Sequence, residues 1–456
     1  MQQIATTYPE HSRAIMKLGM PLILSNLAQF AIHITDTVML GWYSVTALAA
    51  STIAGTFFFL TFIVGSGFAQ AVTPLVAAAA EAGDDQQVRR ATRMALWLSI
   101  IYGGVIMIPF IWTEALLIAI GQDPAVAAEA QIYLHIVAFQ MIPALLVMTL
   151  KSFLAALEKT AIILWSTIGS AVLNGFVNYA LIFGNWGAPE LGIKGAAIAS
   201  LSLTILNVVI LLIYALWKTP QFQLLRNVFA PDTEVMKRVF ALGWPIGLTA
   251  LAEGGLFSAS AVMIGWLGPL PLAAHGIAIQ LASLTFMVHI GFSQAATVRA
   301  GRALGRRDED SLRRGGKVAI TLSAVFAVFT MFVFFLFPEP LISAFIDPDE
   351  PAKAELLKIG VALLACAGLF QVVDALQVMA LGLLRGVQDT RVPMVMATIS
   401  YWLIGLPISY ILAFPLGLEG VGLWLGLVVG LAVAAVLLLW RFWGRSVRIL
   451  SLSPNA

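Results

Sequence analysis

Charge almost disappears from long stretches of this chain. Met94 to Trp112, Ala161 to Ala188, Ile198 to Trp217, Val318 to Pro338 and Val392 to Leu418 contain hardly any Asp, Glu, Lys or Arg. A helix that crosses a bilayer needs about 20 mostly apolar residues. With the runs that carry one polar interruption included, the pattern predicts twelve spanning helices. They fall over 14–42, 50–79, 91–113, 128–150, 161–185, 195–217, 239–267, 272–298, 318–338, 356–384, 393–413 and 420–440. A membrane β-barrel would show short segments of alternating polarity instead. The expected fold is an all-α polytopic membrane protein.

Composition agrees. Of 456 residues 60% are hydrophobic and 11% charged, against about 25% charged in a soluble domain. Mean hydropathy is +0.92. Such a chain cannot cover itself with polar surface in water. The single cysteine, Cys366, excludes a disulfide framework and a cysteine-based metal site. Met1 to Ser12 is polar and the first apolar run is too long for a signal-peptide core, so no cleavable signal is expected. Outside the apolar cores, Lys and Arg concentrate at the N-terminus, after every even-numbered helix and at the C-terminus. Only Lys194, Lys353 and Lys358 fall on the other side. The positive-inside rule then places both termini and the even-numbered loops in the cytoplasm.

The chain is also written twice. The shift that carries Gly19-Met-Pro21 onto Gly243-Trp-Pro245 also lays Leu40-Gly-Trp42 on Ile264-Gly-Trp266 and Gly67-Phe-Ala-Gln-Ala71 on Gly291-Phe-Ser-Gln-Ala295. Asp123-Pro124 falls on Asp347-Pro348 at the same shift. After a short insertion, Phe139-Gln140 pairs with Phe370-Gln371. The expected organisation is a six-helix lobe over 1–217, a cytoplasmic connecting loop over 218–237 and a second six-helix lobe over 238–456. Six is an even number, so both lobes enter the membrane in the same sense. Parallel repeats of this kind suit alternating access.

Three acids lie inside the apolar runs: Asp36, Glu253 and Asp374. An intramembrane carboxylate is costly and marks function by default, although a structural carboxylate paired inside the bundle is the plainer reading. The only nearby bases, Lys151 and Arg385, stand near the basic helix ends, so no cationic partner is obvious. The duplication does not copy these acids. Glu253 corresponds to Gln29, Asp36 to Ser260 and Asp374 to Pro143. In the first half, Asn174 and Asn178 are four apart and share a helix face with the prospect of meeting Asp36. Carboxylate plus amide oxygens suit Na+ or a protonated variant of the site; interhelical hydrogen bonding is the alternative. In the second half, Gln371 and Gln377 flank Asp374, Ser260 lies two turns from Glu253, and Gly254 and Gly255 leave room for a close neighbour. Two carboxylates there would admit two positive charges. His33, His135, His275 and His289 lack metal-ligand spacing and read as satisfied polar positions. The stretch "VRAGRALGRRDEDSLRRGG", 298–316, reads as a basic loop that fixes topology.

At these residues the sequence resembles the multidrug and toxic compound extrusion family, in its NorM-like bacterial branch. The points of contact are Asp36, Pro21, Pro245, "LAEGGLFSASAVMIGWLG", "AHGIAIQ", "ATVRAGRALG" and "VVDALQVMALGLLRG". The resemblance implies secondary antiport: bulky organic cations, drugs and dyes, leave as Na+ or H+ enters. It implies cation coupling at Glu253 and Asp374, and a first-lobe polar cluster at Asp36, Asn174 and Asn178. A related DinF-like branch carries aspartate at the Asn178 position; its absence here, in combination with Glu253, favours the NorM-like reading over a purely first-lobe mechanism. The setting is a bacterial inner membrane, with the protein expected to act as a monomer among lipid. No cofactor, nucleic acid or ATP is expected, because no nucleotide-binding loop is present. An enzyme would need a constellation such as His-Glu-x-x-His or Gly-x-Ser-x-Gly, and neither occurs. The alternative in another class is a flippase of a lipid-linked precursor or amphipathic lipid on the same two-lobe plan. A pyrophosphate cargo would call for a basic core, whereas this one is acidic.

Overall fold

The computed structural model describes residues 7–119 and 121–448. Twelve helices among them are long and apolar enough to span a membrane, and no strand occurs among the described residues. They are α1 (Tyr8–Tyr43), α2 (Val45–Glu81), α3 (Asp85–Ala119), α4 (Pro124–Ala156), α5 (Thr160–Phe183) and α6 (Ile193–Lys218). The second set is α7 (Thr233–Gly265), α8 (Pro269–Arg306), α9 (Glu309–Leu336), α10 (Lys353–Gly386), α11 (Arg391–Ala413) and α12 (Glu419–Ser446). The protein is a multi-pass all-α membrane protein.

Local chemistry sets the helix ends. Asp84 accepts from the Gln87 amide at 2.9 Å to open α3, and Asp308 accepts from the Ser311 amide at 2.9 Å to open α9. The repeat carries one of these N-caps onto the other, so the duplication extends to the capping residues. Asp123 caps α4. Its counterpart Asp347 makes the same kind of bond, to the Asp349 amide at 2.9 Å. Yet α10 starts only at Lys353, because the insertion lies here.

The chain divides into two compact units. One runs Leu24–Gly247; the other joins the chain up to Ile23 with the chain from Leu248. The duplicated halves, 1–217 and 238–456, therefore exchange the opening segments of α1 and α7. The two cuts, after Ile23 and after Gly247, coincide under the repeat. Close backbone approach accounts for the exchange. Within the first unit, a methyl group at Gly67 of α2 would strike the Gly243 carbonyl and the Gly247 amide of α7. Within the second, a methyl at Gly291 of α8 would strike the Ile23 backbone of α1. The pairs 67/247 and 291/23 are equivalent under the repeat.

Each unit packs by one scheme. Helix α4 touches α2, α3 and α6, and α6 touches α5; in the other unit α10 touches α8, α9 and α12, and α12 touches α11. So α4 and α10 are the central helices, and α10 carries Asp374 in its buried middle.

Candidate functional site

The structure brings the three first-half residues together. Asp36 lies on α1 and Asn174 and Asn178 on α5, the asparagines one turn apart as their spacing requires. Both are buried, at 1% and 0% exposure. The Asn178 side-chain amide donates to Asp36 Oδ1 at 2.5 Å and to Asn174 Oδ1 at 3.3 Å. Both of its protons are thereby used, and its own Oδ1 is buried without a partner. His33, one turn earlier on α1, and Tyr133 of α4 lie within electrostatic reach of Asp36. The cluster offers carboxylate and amide oxygens with one acceptor unfilled. Chemically it suits a cation or a proton donor.

The second-half residues also converge. Glu253 on α7 and Asp374 on α10 interact electrostatically, and Asp374 is 1% exposed. Gln371 donates to the Ala282 carbonyl of α8 at 3.2 Å, and Gln377 donates to the Tyr401 hydroxyl of α11 at 2.5 Å. Glu253 Oε1, Asp374 Oδ1 and Gln377 Oε1 are buried acceptors without a donor, and the Gln371 side chain stands within hydrogen-bonding reach of His289. Buried polar atoms are ordinarily paired, so three orphaned oxygens on two helices mark this cluster out as a candidate site. Ser260 is buried, and its proton goes to the Leu256 carbonyl of its own helix at 2.8 Å. Gly255 makes room for the Trp402 ring, whose Nε1 donates to the Ala252 carbonyl at 3.0 Å. A methyl at Gly254 would meet nothing within 4 Å.

Two participants differ from the sequence reading. Arg385 of α10, set aside there as a remote base, lies within electrostatic reach of both Glu253 and Tyr401. Glu253 therefore does have a cationic neighbour. Arg385 is three helical turns beyond Asp374 on the same helix. Tyr401 was missed altogether. It is fully buried in a π-helical segment, Ile399–Gly405, and lies within reach of Glu253, Asp374 and Arg385. Pro407 was the available signal. Its missing N–H leaves the Leu403 carbonyl without the usual helical partner, and π-helical turns are frequent at functional sites.

Three of the four intramembrane histidines have one hydrogen-bonded ring nitrogen. His275 accepts from Trp424 Nε1 at 3.2 Å, His289 Nδ1 meets Ser323 Oγ at 2.8 Å, and His135 meets Gln131. Among the described residues no group of three or more His, Cys, Asp or Glu is placed to hold a metal ion. The candidate cation sites here have at most two such groups and rely on amide oxygens.

A duplicated bundle of twelve spanning helices with a buried polar cluster in each unit defines a membrane transporter. The MatE family model matches residues 21–180 and again 245–411, and the starts of the two matches coincide under the repeat; the chain belongs to this family. It is 44% identical over 460 residues to the probable multidrug resistance protein NorM of Rhizobium meliloti (strain 1021), covering 100% of this chain and 98% of that one. Its fold is that of the eukaryotic MATE transporter AtDTX14, with a TM-score of 0.84 at 20% identity over 98% of this chain and 100% of that one. A MOP superfamily transporter from Pyrococcus furiosus has a TM-score of 0.85 at 18% identity, covering 97% of each chain. At such identities the structures speak for fold alone.

Proposed function

We propose that this chain is a multidrug efflux antiporter of a bacterial inner membrane, which exports bulky organic cations as Na+ or H+ enters. The similarity to NorM proteins supports the multidrug reading. The observation that carries the antiport reading is the set of unfilled buried oxygens in the Glu253–Asp374 cluster, whose two carboxylates outnumber the one guanidinium near them. A buried carboxylate is stable only when protonated or matched by a cation. Inward ion and outward drug then draw on the same negative charge, and differential binding to two arrangements of the lobes couples their movements. Asp36, Asn174 and Asn178 serve as the first-lobe site in the same cycle. The protein works as a monomer among lipid, with both termini cytoplasmic, and needs neither nucleotide nor cofactor.

Everted vesicles loaded with a cationic dye test the reading, with the Na+ and H+ gradients varied separately. Dye movement is expected to follow one of the two gradients and to stop when that gradient is collapsed. Movement that persists with both gradients collapsed and ATP present would reject antiport. A cysteine placed at Ser311 is expected to resist labelling from outside the cell, and labelling there would reverse the topology.

A further inference from the structure

The segment between α6 and α7 puts large apolar side chains where a connecting loop in water would put polar ones. Phe229 is 83% exposed, and Leu225 and Trp217 are exposed as well. The segment is nonetheless firmly held. Phe222 and Leu224 are buried, and the Phe222 ring meets Phe153 of α4 edge-on at 6.0 Å. Arg93 of α3 donates to the Asn227 carbonyl at 3.0 Å, and Trp97 Nε1 donates to the Val228 carbonyl at 2.7 Å. The Phe229 ring stands edge-on to Trp97 at 6.2 Å. All of these residues belong to the same compact unit.

The contact with Trp97 sets the depth. Trp97 lies inside the uncharged run Met94–Trp112 of α3, and tryptophan gathers where hydrocarbon meets headgroup. Phe229 therefore stands at the level where α3 has become apolar, and acyl chains would cover its exposed ring. Charge selects the lipid. The acids of 218–237 are Asp232 and Glu234, and both are engaged by Arg90. Lys218 and Arg226 have no acidic partner among the described residues. The Lys218 amine lies 3.5 Å from the centroid of the Trp217 ring, and Arg226 Nη1 donates to Gln223 Oε1 at 2.9 Å. Each keeps N–H donors to spare. One segment thus combines an apolar wedge with two unneutralised cations. A phospholipid of net negative charge matches both features; a soluble phosphate, without acyl chains, matches only the second.

We propose that this connecting segment is an interfacial docking site for an anionic phospholipid. Phe229 and Leu225 enter its acyl region, and Lys218 and Arg226 hold its headgroup phosphate. This inference rests on the membrane-spanning fold and not on the antiport reading. The test places a fluorophore on Ala230→Cys, next to Phe229 and exposed, with Cys366 replaced by alanine. The full chain is reconstituted into vesicles of phosphatidylcholine and phosphatidylglycerol in equal amounts, with bromine on the acyl chains of one lipid or the other. Brominated phosphatidylglycerol is expected to quench roughly two-fold or more above brominated phosphatidylcholine, because each interfacial cation attracts anionic lipid. In the double variant Lys218→Gln with Arg226→Gln the two lipids are expected to quench alike. Each single variant should lie between, which decides the matter should the double one fail to fold. Equal quenching by the two lipids in the unmodified segment overturns the proposal, since the wedge then has no headgroup preference. Quenching by neither places the segment in water or against another protein, and overturns it too. A preference that survives loss of both cations also overturns it, because other residues then hold the lipid.

Discussion

The side-chain amide of Asn178 donates to Asp36 at 2.5 Å although the two are 142 residues apart in the chain. The contact joins α1 to α5 and leaves Asn178 Oδ1 as the unsatisfied atom. If the contact only glued helices, Asp36→Asn would keep a hydrogen-bonding partner and leave transport intact. We expect the reverse: efflux falls to that of cells without the protein while membrane abundance is kept. Normal drug resistance with Asp36→Asn would show that the carboxylate's charge is dispensable.

The Gln377–Tyr401 bond is a second buried pair whose failure can be read out. Tyr401→Phe leaves the Gln377 amide without its acceptor inside the protein, at a cost of about 1–3 kcal/mol. Gln377→Leu removes the donor and leaves the hydroxyl alone. The double variant removes both partners and is expected to regain most of the stability lost by either single one. Thermal unfolding of the four proteins in detergent checks this. Strict additivity of the two losses would show that the bond carries no coupling.

Glycine positions separate backbone crossing from open space. Gly67→Val and Gly291→Val place bulk against the Gly243–Gly247 backbone and the Ile23 backbone. Each is expected to destabilise by several kcal/mol, as overpacking against backbone does at its upper end. A methyl at Gly175 would meet nothing within 4 Å, so Gly175→Ala is expected to change little. Yields of folded protein after detergent extraction should rank Gly175→Ala near the unmodified chain and the two valine variants far below it.

The segment before α7 is held by charge. Arg90 of α3 binds Asp232 through Nε at 2.6 Å and Nη2 at 3.1 Å, and Arg93 donates to the Asn227 carbonyl at 3.0 Å. The Arg90 guanidinium holds the Asp232 carboxyl below the usual carboxylate range. A lowered folded-state value means the stabilisation is complete above the unfolded value of about 3.9. It is lost as pH falls through the lowered one. Asp232→Asn should therefore speed protease cleavage within 218–237 at neutral pH, with less difference as acid protonates the native aspartate. High salt should narrow the gap too, because the pair is partly exposed. Equal cleavage rates at neutral pH and low salt would remove the role assigned to this pair.

Much of this was legible in the chain because hydrophobic length and repeat offset are one-dimensional signals. Twelve runs became twelve helices, and the repeat offset reappears in the N-caps Asp84 and Asp308 and in the family matches. Asp36, Asn174 and Asn178 were readable because two of them sit one turn apart and all three are polar in an apolar setting. The exchanged segments of α1 and α7 were not readable, since they depend on which backbones approach at Gly67 and Gly291. Tyr401 was hidden for a related reason. An aromatic in a spanning helix ordinarily reads as packing, and the π-helical segment that contains Tyr401 is a backbone feature that residue type alone does not announce.

Arg385 changes what the second-half site can carry. Two carboxylates alone would admit two positive charges, the expectation drawn from Glu253 and Asp374 in the sequence. With the Arg385 guanidinium in electrostatic reach of Glu253, the ionised cluster holds one net negative charge, and a single monovalent cation neutralises it. Moving one charge through a potential of 100 mV is worth about 2.3 kcal/mol. Exchange of one inward ion for one monovalent dye then cancels electrically. Export of a monovalent dye is expected to be insensitive to an imposed inside-negative potential at fixed ion gradients. Export of a divalent dye should be slowed by it, because one net positive charge leaves per cycle. Arg385→Gln removes the internal countercharge, so a second cation is needed, and monovalent export by that variant should accelerate under the same potential. Arg385→Lys keeps the charge and should behave as the unmodified protein does. Acceleration of monovalent export in the unmodified protein would show that two charges enter and that Arg385 does not offset the acids. Potential-insensitive export of both dyes would place the charge movement outside this cluster.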